Sequence, residues 1–218
     1  MKILAFSDLH EEEVALESLR KISKDFDYVF ICGDISHSVS FAEEVLVSFP
    51  NAFLIPGNWD NKQVISIFEN TDPFISSKKR WIHEARVEIQ DGINVVGFGY
   101  SHITSFGTYG ELTESQIYER MSKLPIDKNT LLMLHSPPKG HFDAVNGGNA
   151  GSESILKIIM EKKPLAAFFG HIHEYIGVKN LGSTQLIKLP AAIHMQACSV
   201  SITAQENSRK INVEFIHL

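Results

Sequence analysis

The run Tyr28-Val29-Phe30-Ile31-Cys32 is apolar throughout and leads through Gly33 into a single carboxylate, Asp34. A carboxylate placed there either caps the next turn or does chemistry, because open α/β sheets bind ligands outside the carboxyl ends of their strands. Four more apolar segments end in donors of the same kind: Asp8 with His10, Asn58 with Asp60, His135, and His171 with His173. Within each pair the two residues are separated by one other, a spacing that puts both side chains on one side of an extended chain. Carboxylate and amide oxygens mixed with imidazoles suit manganese, iron or zinc, and the absence of thiolates argues against a structural zinc knot. Asp8, His10, Asp34, Asn58, His135, His171 and His173 together exceed the coordination of one ion, which implies two. Two ions about 3.5 to 4 Å apart clamp a phosphate and turn a bridging water into hydroxide near neutral pH. Asp34, with two oxygens at the centre of the sheet, is the best-placed bridge.

Elements must carry these donors to one edge. Lys2 to Ser7 reads as a strand, Glu11 to Lys24 as a helix with Val14, Leu16, Leu19 and Ile22 on its apolar side, and Asp27 to Cys32 as a second strand. A helix over Phe41 to Phe49, with Ser38 and Ser40 as possible caps, a strand over Asn51 to Pro56 and a helix over Lys62 to Phe68 follow. Three β-α units in succession imply a parallel sheet with right-handed crossovers. Asp91-Gly92 between Arg86 to Gln90 and Ile93 to Gly99 signals an antiparallel hairpin. Thr113 is a plausible N-cap for a helix running to Lys123; Thr130 to Leu134 is a buried strand, and a helix spans about Ser152 to Lys162. Strands are expected at Leu165 to Phe169, Tyr175 to Lys179, Thr184 to Lys188, Gln196 to Thr203 and Lys210 to His217. The long stretch Ser136 to Gly151, rich in glycine and with two prolines, has the character of a functional loop, and with Ser101 to Gly110 it is expected to border the pocket.

The chain of 218 residues is 44% hydrophobic and 21% charged, which fits one ordinary domain spanning 1–218. A net charge of −6 argues against gripping nucleic acid by bulk electrostatics. Lys78-Lys79-Arg80 is the one basic run and reads as a solvated face. The apolar start is too short for a signal peptide and no stretch is long enough to span a membrane, so the cytoplasm is expected. Cys32 and Cys198 show no disulfide framework and read as buried thiols. No nucleotide-binding glycine loop or nucleophile elbow competes: Gly97-Phe98-Gly99 lacks a third glycine, and Ser136 lacks the elbow glycines.

Asp8-Leu9-His10, Gly33-Asp34, Gly57-Asn58-Trp59-Asp60, His135 and Gly170-His171-Ile172-His173, in this order over residues 8 to 173, resemble the five blocks of the calcineurin-like metallophosphoesterases. Gly33-Asp34-Ile35-Ser36-His37, Gly97-Phe98-Gly99, Gly110-Glu111-Leu112-Thr113 and His135-Ser136-Pro137-Pro138 further resemble the small single-domain, Icc-related branch of that family. The resemblance implies an α/β fold, a four-layer α/β/β/α sandwich of two mixed sheets flanked by helices. It also implies one ion on Asp8, His10, Asp34 and His173 and another on Asp34, Asn58, His135 and His171. One position departs from the pattern. Many members carry a histidine directly after the Asn of the third block, which protonates the leaving oxygen and is oriented by the following acid; here Trp59 stands there, before Asp60. An indole donates a hydrogen bond but is no general acid. His37 and, in the long loop, His141 are the candidate replacements, and Trp59 reads as a pocket wall, with base stacking as the alternative. His83, His102, His194 and His217 read as structural or surface residues.

The expectation is a phosphoesterase with two divalent ions per chain, manganese favoured for assay, acting on a small phosphate ester or nucleotide, with Asn58 and His135 neutralising charge on the phosphoryl oxygens. Diesters are favoured over monoesters, since loss of the third-block histidine penalises an alkoxide leaving group most. A non-catalytic metal-binding scaffold and a nuclease are the competing readings.

Overall fold

The central strands of both sheets are apolar on both faces, which requires cover on both sides. In a computed structural model of the chain, residues 1–70, 80–145, 148–205 and 208–218 are described. The strands are β1 (Lys2–Phe6), β2 (Tyr28–Cys32), β3 (Ala52–Ile55), β4 (Ala85–Glu88), β5 (Asn94–Phe98), β6 (Ser101–His102), β7 (Glu111–Leu112), β8 (Thr130–Leu134), β9 (Ala144–Val145), β10 (Gly148–Asn149), β11 (Ala166–Phe169), β12 (Gly177–Leu181), β13 (Thr184–Lys188), β14 (Gln196–Gln205) and β15 (Ser208–His217). One sheet has the order β15-β14-β1-β2-β3, and the other β12-β13-β11-β8-β5-β4. In the first, β1, β2 and β3 are parallel and β14 is antiparallel to β1. In the second, β5, β8, β11 and β13 are parallel, with β4 and β12 as antiparallel edges.

Alternate residues of the central strands face different cores. Ile3, Ala5, Phe30, Cys32 and Phe53 pack between the sheets against Val95, Leu131, Met133 and Phe168. Leu4, Phe6, Val29, Ile31 and Leu54 face outward onto α1 (Glu13–Ile22), α2 (Val39–Ser48) and α3 (Lys62–Glu69). Val96, Phe98, Leu132, Leu134 and Phe169 face α4 (Glu114–Ser122) and α5 (Glu153–Lys162) on the opposite side. This is the four-layer sandwich, and all five donor segments leave the carboxyl ends of parallel strands.

The caps expected at Ser38 and Thr113 form, and Ser152 caps its helix as well. Ser38, Thr113 and Ser152 accept from backbone amides of α2, α4 and α5, and Thr113 completes a capping box with Gln116. Ser40 bonds Ser38 and is already inside the helix. The first helix begins at Glu13, two residues later than the periodicity suggests, because His10 and Glu11 hold positive φ. Tyr175 and Ile176 likewise precede β12. The hairpin β4–β5 is present, with Asp91 and Gly92 both at positive φ, but a short 3-10 turn over Gln90–Gly92 lengthens the connection. Arg80 corrects the reading of the basic run as a solvated face. It is 4% exposed, and its guanidinium donates to the carbonyls of Leu46 and Phe49, closing the carboxyl end of α2. Lys78 and Lys79 lie outside the described residues.

Candidate metal centre

Asp8, His10, Asp34 and His171 all have positive φ, between 48° and 71°. Non-glycine residues take this conformation uncommonly, Asp and His more readily than most, at a cost of about 1–3 kcal/mol each. The alternation of an extended chain therefore does not decide where these side chains point. Long-range bonds hold these turns: Asp8 N–H donates to the Gly33 carbonyl, His10 N–H to that of Asp34, and His171 N–H to Asp8 Oδ2.

Two groups of donors result: Asp8, His10 and His173, and Asp34, His135 and His171. His171 and His173, adjacent in sequence but for Ile172, thus go to different groups. Asp34 joins the groups, since its Oδ1 lies 3.4 Å from His135 Nε2 and its Oδ2 lies 3.9 Å from His10 Nε2. Asn58 joins the second group through Oδ1, 2.9 Å from His135 Nε2.

The fit to metal ions follows from donors and acceptors. His135 is fully buried and its Nδ1 faces the Cys32 carbonyl at 2.8 Å, so Nδ1 carries a hydrogen. Its Nε2 then faces two acceptor oxygens, of Asn58 and Asp34, and only a cation between them satisfies all three. Without a metal that cation is a proton. Burial works to lower the imidazole, but the Asp34 carboxylate lifts it to about 9. Two donors each about 2.1 Å from a shared ion sit about 3.0 to 3.4 Å apart, which matches these separations. In the first group Asp8 Oδ1 is buried with no hydrogen-bond partner among the described residues, 3.3 Å from His173 Nε2 but outside hydrogen-bond geometry. Burial favours protonating Asp8, yet His173, His135 and Lys188 outweigh it and hold the carboxyl far below its usual range. The His173 imidazole is raised by that same carboxylate. His171, half-buried, is pushed down to about 4 by desolvation of its ring and by neighbouring His135, and stays neutral, the form that can ligate a metal.

Close backbone approach builds the centre. A Cβ on Gly57 would lie 1.9 Å from Asp34 Oδ1, and one on Gly33, which has φ of 86°, would lie 2.5 Å from Gly57 N. Asp60 ties the two loops together. Its Oδ1 accepts from Ile35 N–H and Ser36 N–H, and its Oδ2 from Asp34 N–H and Gly57 N–H. Burial and the nearby Asp34 charge push its carboxyl up to about 6, and the amide donors hold it back from rising further. Asp60 therefore clamps backbone and, among the described residues, orients no imidazole.

Trp59 is half-buried between two histidines, its indole stacked on His37 at 3.7 Å and meeting the edge of His10 at 4.8 Å. With His37 against it, the indole is a wall rather than a free stacking platform. His37 is exposed, turns Nε2 to the Trp59 carbonyl and belongs to neither donor group. His141 also lies outside both; its Nδ1 is buried without a hydrogen-bond partner among the described residues, and burial lowers its imidazole. Of the remaining histidines, His83 is structural: Nδ1 accepts from Gly99 N–H, and burial pushes the ring down to about 4.

Several neighbours escaped the sequence reading. His194 packs edge-on against His173 at 5.6 Å, and His102 acts electrostatically on His171. Lys188 is wholly buried at the end of β13, donates to the Leu189 carbonyl and acts on Asp8; burial pushes its ammonium down to about 8. A lysine closing an apolar strand is a visible signal, whereas nothing local marks the other two. Cys32 and Cys198 are buried free thiols, both raised by burial, Cys198 to about 12.

Residues 1–175 match the family model described as calcineurin-like phosphoesterase. An uncharacterized protein of Methanocaldococcus jannaschii is 32% identical over 200 residues, covering 86% of this chain and 87% of its own. Among solved structures, TT1561 of Thermus thermophilus superposes with a TM-score of 0.73 at 16% identity, over 98% of this chain and 97% of that one. A dimetal phosphatase of Danio rerio gives 0.60 at 12% identity, over 100% and 98%. A novel archaeal phosphodiesterase gives 0.56 at 15% identity, over 98% and 100%. At these identities the structures share the fold.

Proposed function

This chain belongs to the calcineurin-like phosphoesterase family, and we propose that it is a phosphodiesterase holding two divalent ions on Asp8, His10, Asp34, Asn58, His135, His171 and His173. The observation that carries the reading is Asp34, whose two carboxylate oxygens face different donor groups. Divalent ions bound there supply Lewis-acid polarisation of a phosphoryl group and an activated water.

The chain's own residues do the rest. His135 keeps Nε2 free for a cation by committing Nδ1–H to the Cys32 carbonyl. Trp59 N–H donates to Asp34 Oδ1 and fixes the carboxylate plane, while Asp60 locks the loops that present Asp34 and Asn58. His135 and Asn58 lie where they can neutralise charge on the phosphoryl oxygens. Where a leaving oxygen would need a proton, the third block offers an indole wedged against His37 and His10. That favours diesters with good leaving groups over monoesters, of small molecules or nucleotides. Among the described residues no helix is long and apolar enough to cross a membrane, and two buried free thiols suit a reducing compartment, so we place the enzyme in the cytoplasm as one domain.

The test is a screen of aryl mono- and diesters with Mn2+, Fe2+ or Zn2+, alongside Asp34→Asn and metal analysis. Turnover of diesters that disappears with chelator and in Asp34→Asn is expected. No turnover of any ester with any of these ions, or two ions retained unchanged in Asp34→Asn, refutes the reading.

A further inference from the structure

Among the proposed ligands, Asn58 alone does not dictate by its own chemistry which face it offers. An amide turned over presents N–H donors in place of its oxygen, and a donor cannot hold a cation. What settles its orientation lies on a segment without a donor block. Asn58 Nδ2 donates to Thr108 Oγ1 at 2.8 Å, and Thr108 Oγ1 donates its one hydrogen to Glu111 Oε1 at 2.7 Å. The carboxylate only accepts, so the direction of the chain is fixed from Asn58 to Thr108 to Glu111. With Nδ2 so committed, Oδ1 faces His135 Nε2.

Glu111 is itself firmly held. Its carboxylate also accepts from Thr104 Oγ1, Thr104 N–H and Thr108 N–H, and these bonds, working against its partial burial, hold it down at about 2. The segment is docked on Asn58 through the backbone as well, Gly110 N–H donating to the Asn58 carbonyl and Ser101 N–H to that of Gly110. A Cβ on Gly110 would come within 2.8 Å of Asn58 Cα, so the two chains touch.

We propose that Thr108 and Glu111 are positioning residues that fix the Asn58 amide with its oxygen inward and so set occupancy of the cation site on the His135 side alone. The proposal rests on the two-ion reading of the centre. The site built on Asp8, His10 and His173 shares Asp34 with the other but has no bond to this segment among those described.

Mn2+ titration of the metal-stripped chain by calorimetry, comparing wild type, Thr108→Val and Thr108→Ser, tests this. Valine keeps the shape and removes the hydroxyl; serine restores it. In Thr108→Val one of two Mn2+ sites is expected to weaken about 10- to 100-fold, the range for partners of metal ligands, while the other stays within about threefold of wild type. Thr108→Ser is expected to return both to wild-type affinity. The intact site in Thr108→Val itself reports a folded chain. Unchanged binding in Thr108→Val, equal loss at both sites, or no recovery in Thr108→Ser overturns the positioning role and leaves the two-ion reading standing. A wild-type chain that binds no Mn2+ overturns the two-ion reading and this role with it.

Discussion

Substituting Gly57 by alanine tests how tightly the backbone sets the centre. The added Cβ would lie 1.9 Å from Asp34 Oδ1 and 2.3 Å from Asp34 N, where real Cβ contacts stay beyond 3.0 Å. Relief requires the Asp34 carboxylate to move by 3.0 − 1.9, or 1.1 Å, and the backbone of the Asp34 loop or the Asn58 loop by 3.0 − 2.3, or 0.7 Å. Neither yields alone, because Asp60 bonds Gly57 N–H and Asp34 N–H with the same oxygen. Metal–ligand distances tolerate only about 0.2 Å, and a misplacement of about 1 Å costs on the order of 100-fold in rate. Gly57→Ala should therefore lose at least one ion per chain and about 100-fold in kcat/KM on an aryl phosphodiester. Gly148→Ala is the matched control, since among the described residues beyond its chain neighbours nothing lies within 4 Å of a Cβ there. The assay is metal analysis after gel filtration together with initial rates in excess Mn2+. A Gly57→Ala protein with two ions per chain and activity within about threefold of Gly148→Ala would refute the claim that this contact shapes the centre.

Two further outcomes follow from single side chains. His83 has its imidazole pushed from 6.5 down to about 4, by burial first and then by Arg120, with Glu84 pulling the other way. Its folded pKa lies below the unfolded one, so its stabilising contribution is complete above pH 6.5 and is lost as pH falls toward 4. The loss is about 2–3 kcal/mol by pH 4.5, or roughly 5–10 °C in Tm for a chain of this size. Chelator-treated His83→Asn should lack that part of the acid slope, and an identical slope in variant and wild type would exclude it. Trp59→His places an imidazole where the indole now stands; a general acid is worth about 100- to 10,000-fold, so turnover of alkyl esters should rise at least about tenfold relative to aryl esters. An unchanged ratio would mean that the missing proton donor does not limit the reaction.

The sequence by itself indicated the buried parallel strands, the caps of α2 and α4 and the seven donors that the proposal uses. It could do so because strand periodicity and capping chemistry are local, and because a donor directly after a buried strand has only one edge of the sheet to occupy. Val29 and Ile31 against Phe30 and Cys32 already divide between two cores by alternation. What the spacing could not supply was direction after the strands ended. At Asp8, His10, Asp34 and His171 the backbone turns left-handed, so the two-residue alternation stops applying, and bonds across the fold decide where each side chain goes. His171 and His173 separate on that account. Arg80 turns inward because the carbonyls ending α2 need donors that sequence proximity does not supply. Asp60 gathers four amides from two loops whose encounter is a tertiary event, and the bond from Asn58 to Thr108 spans fifty residues. Partners that meet only when the layers close leave no periodicity for a sequence to show, whereas the donors those partners orient stand in plain order along it.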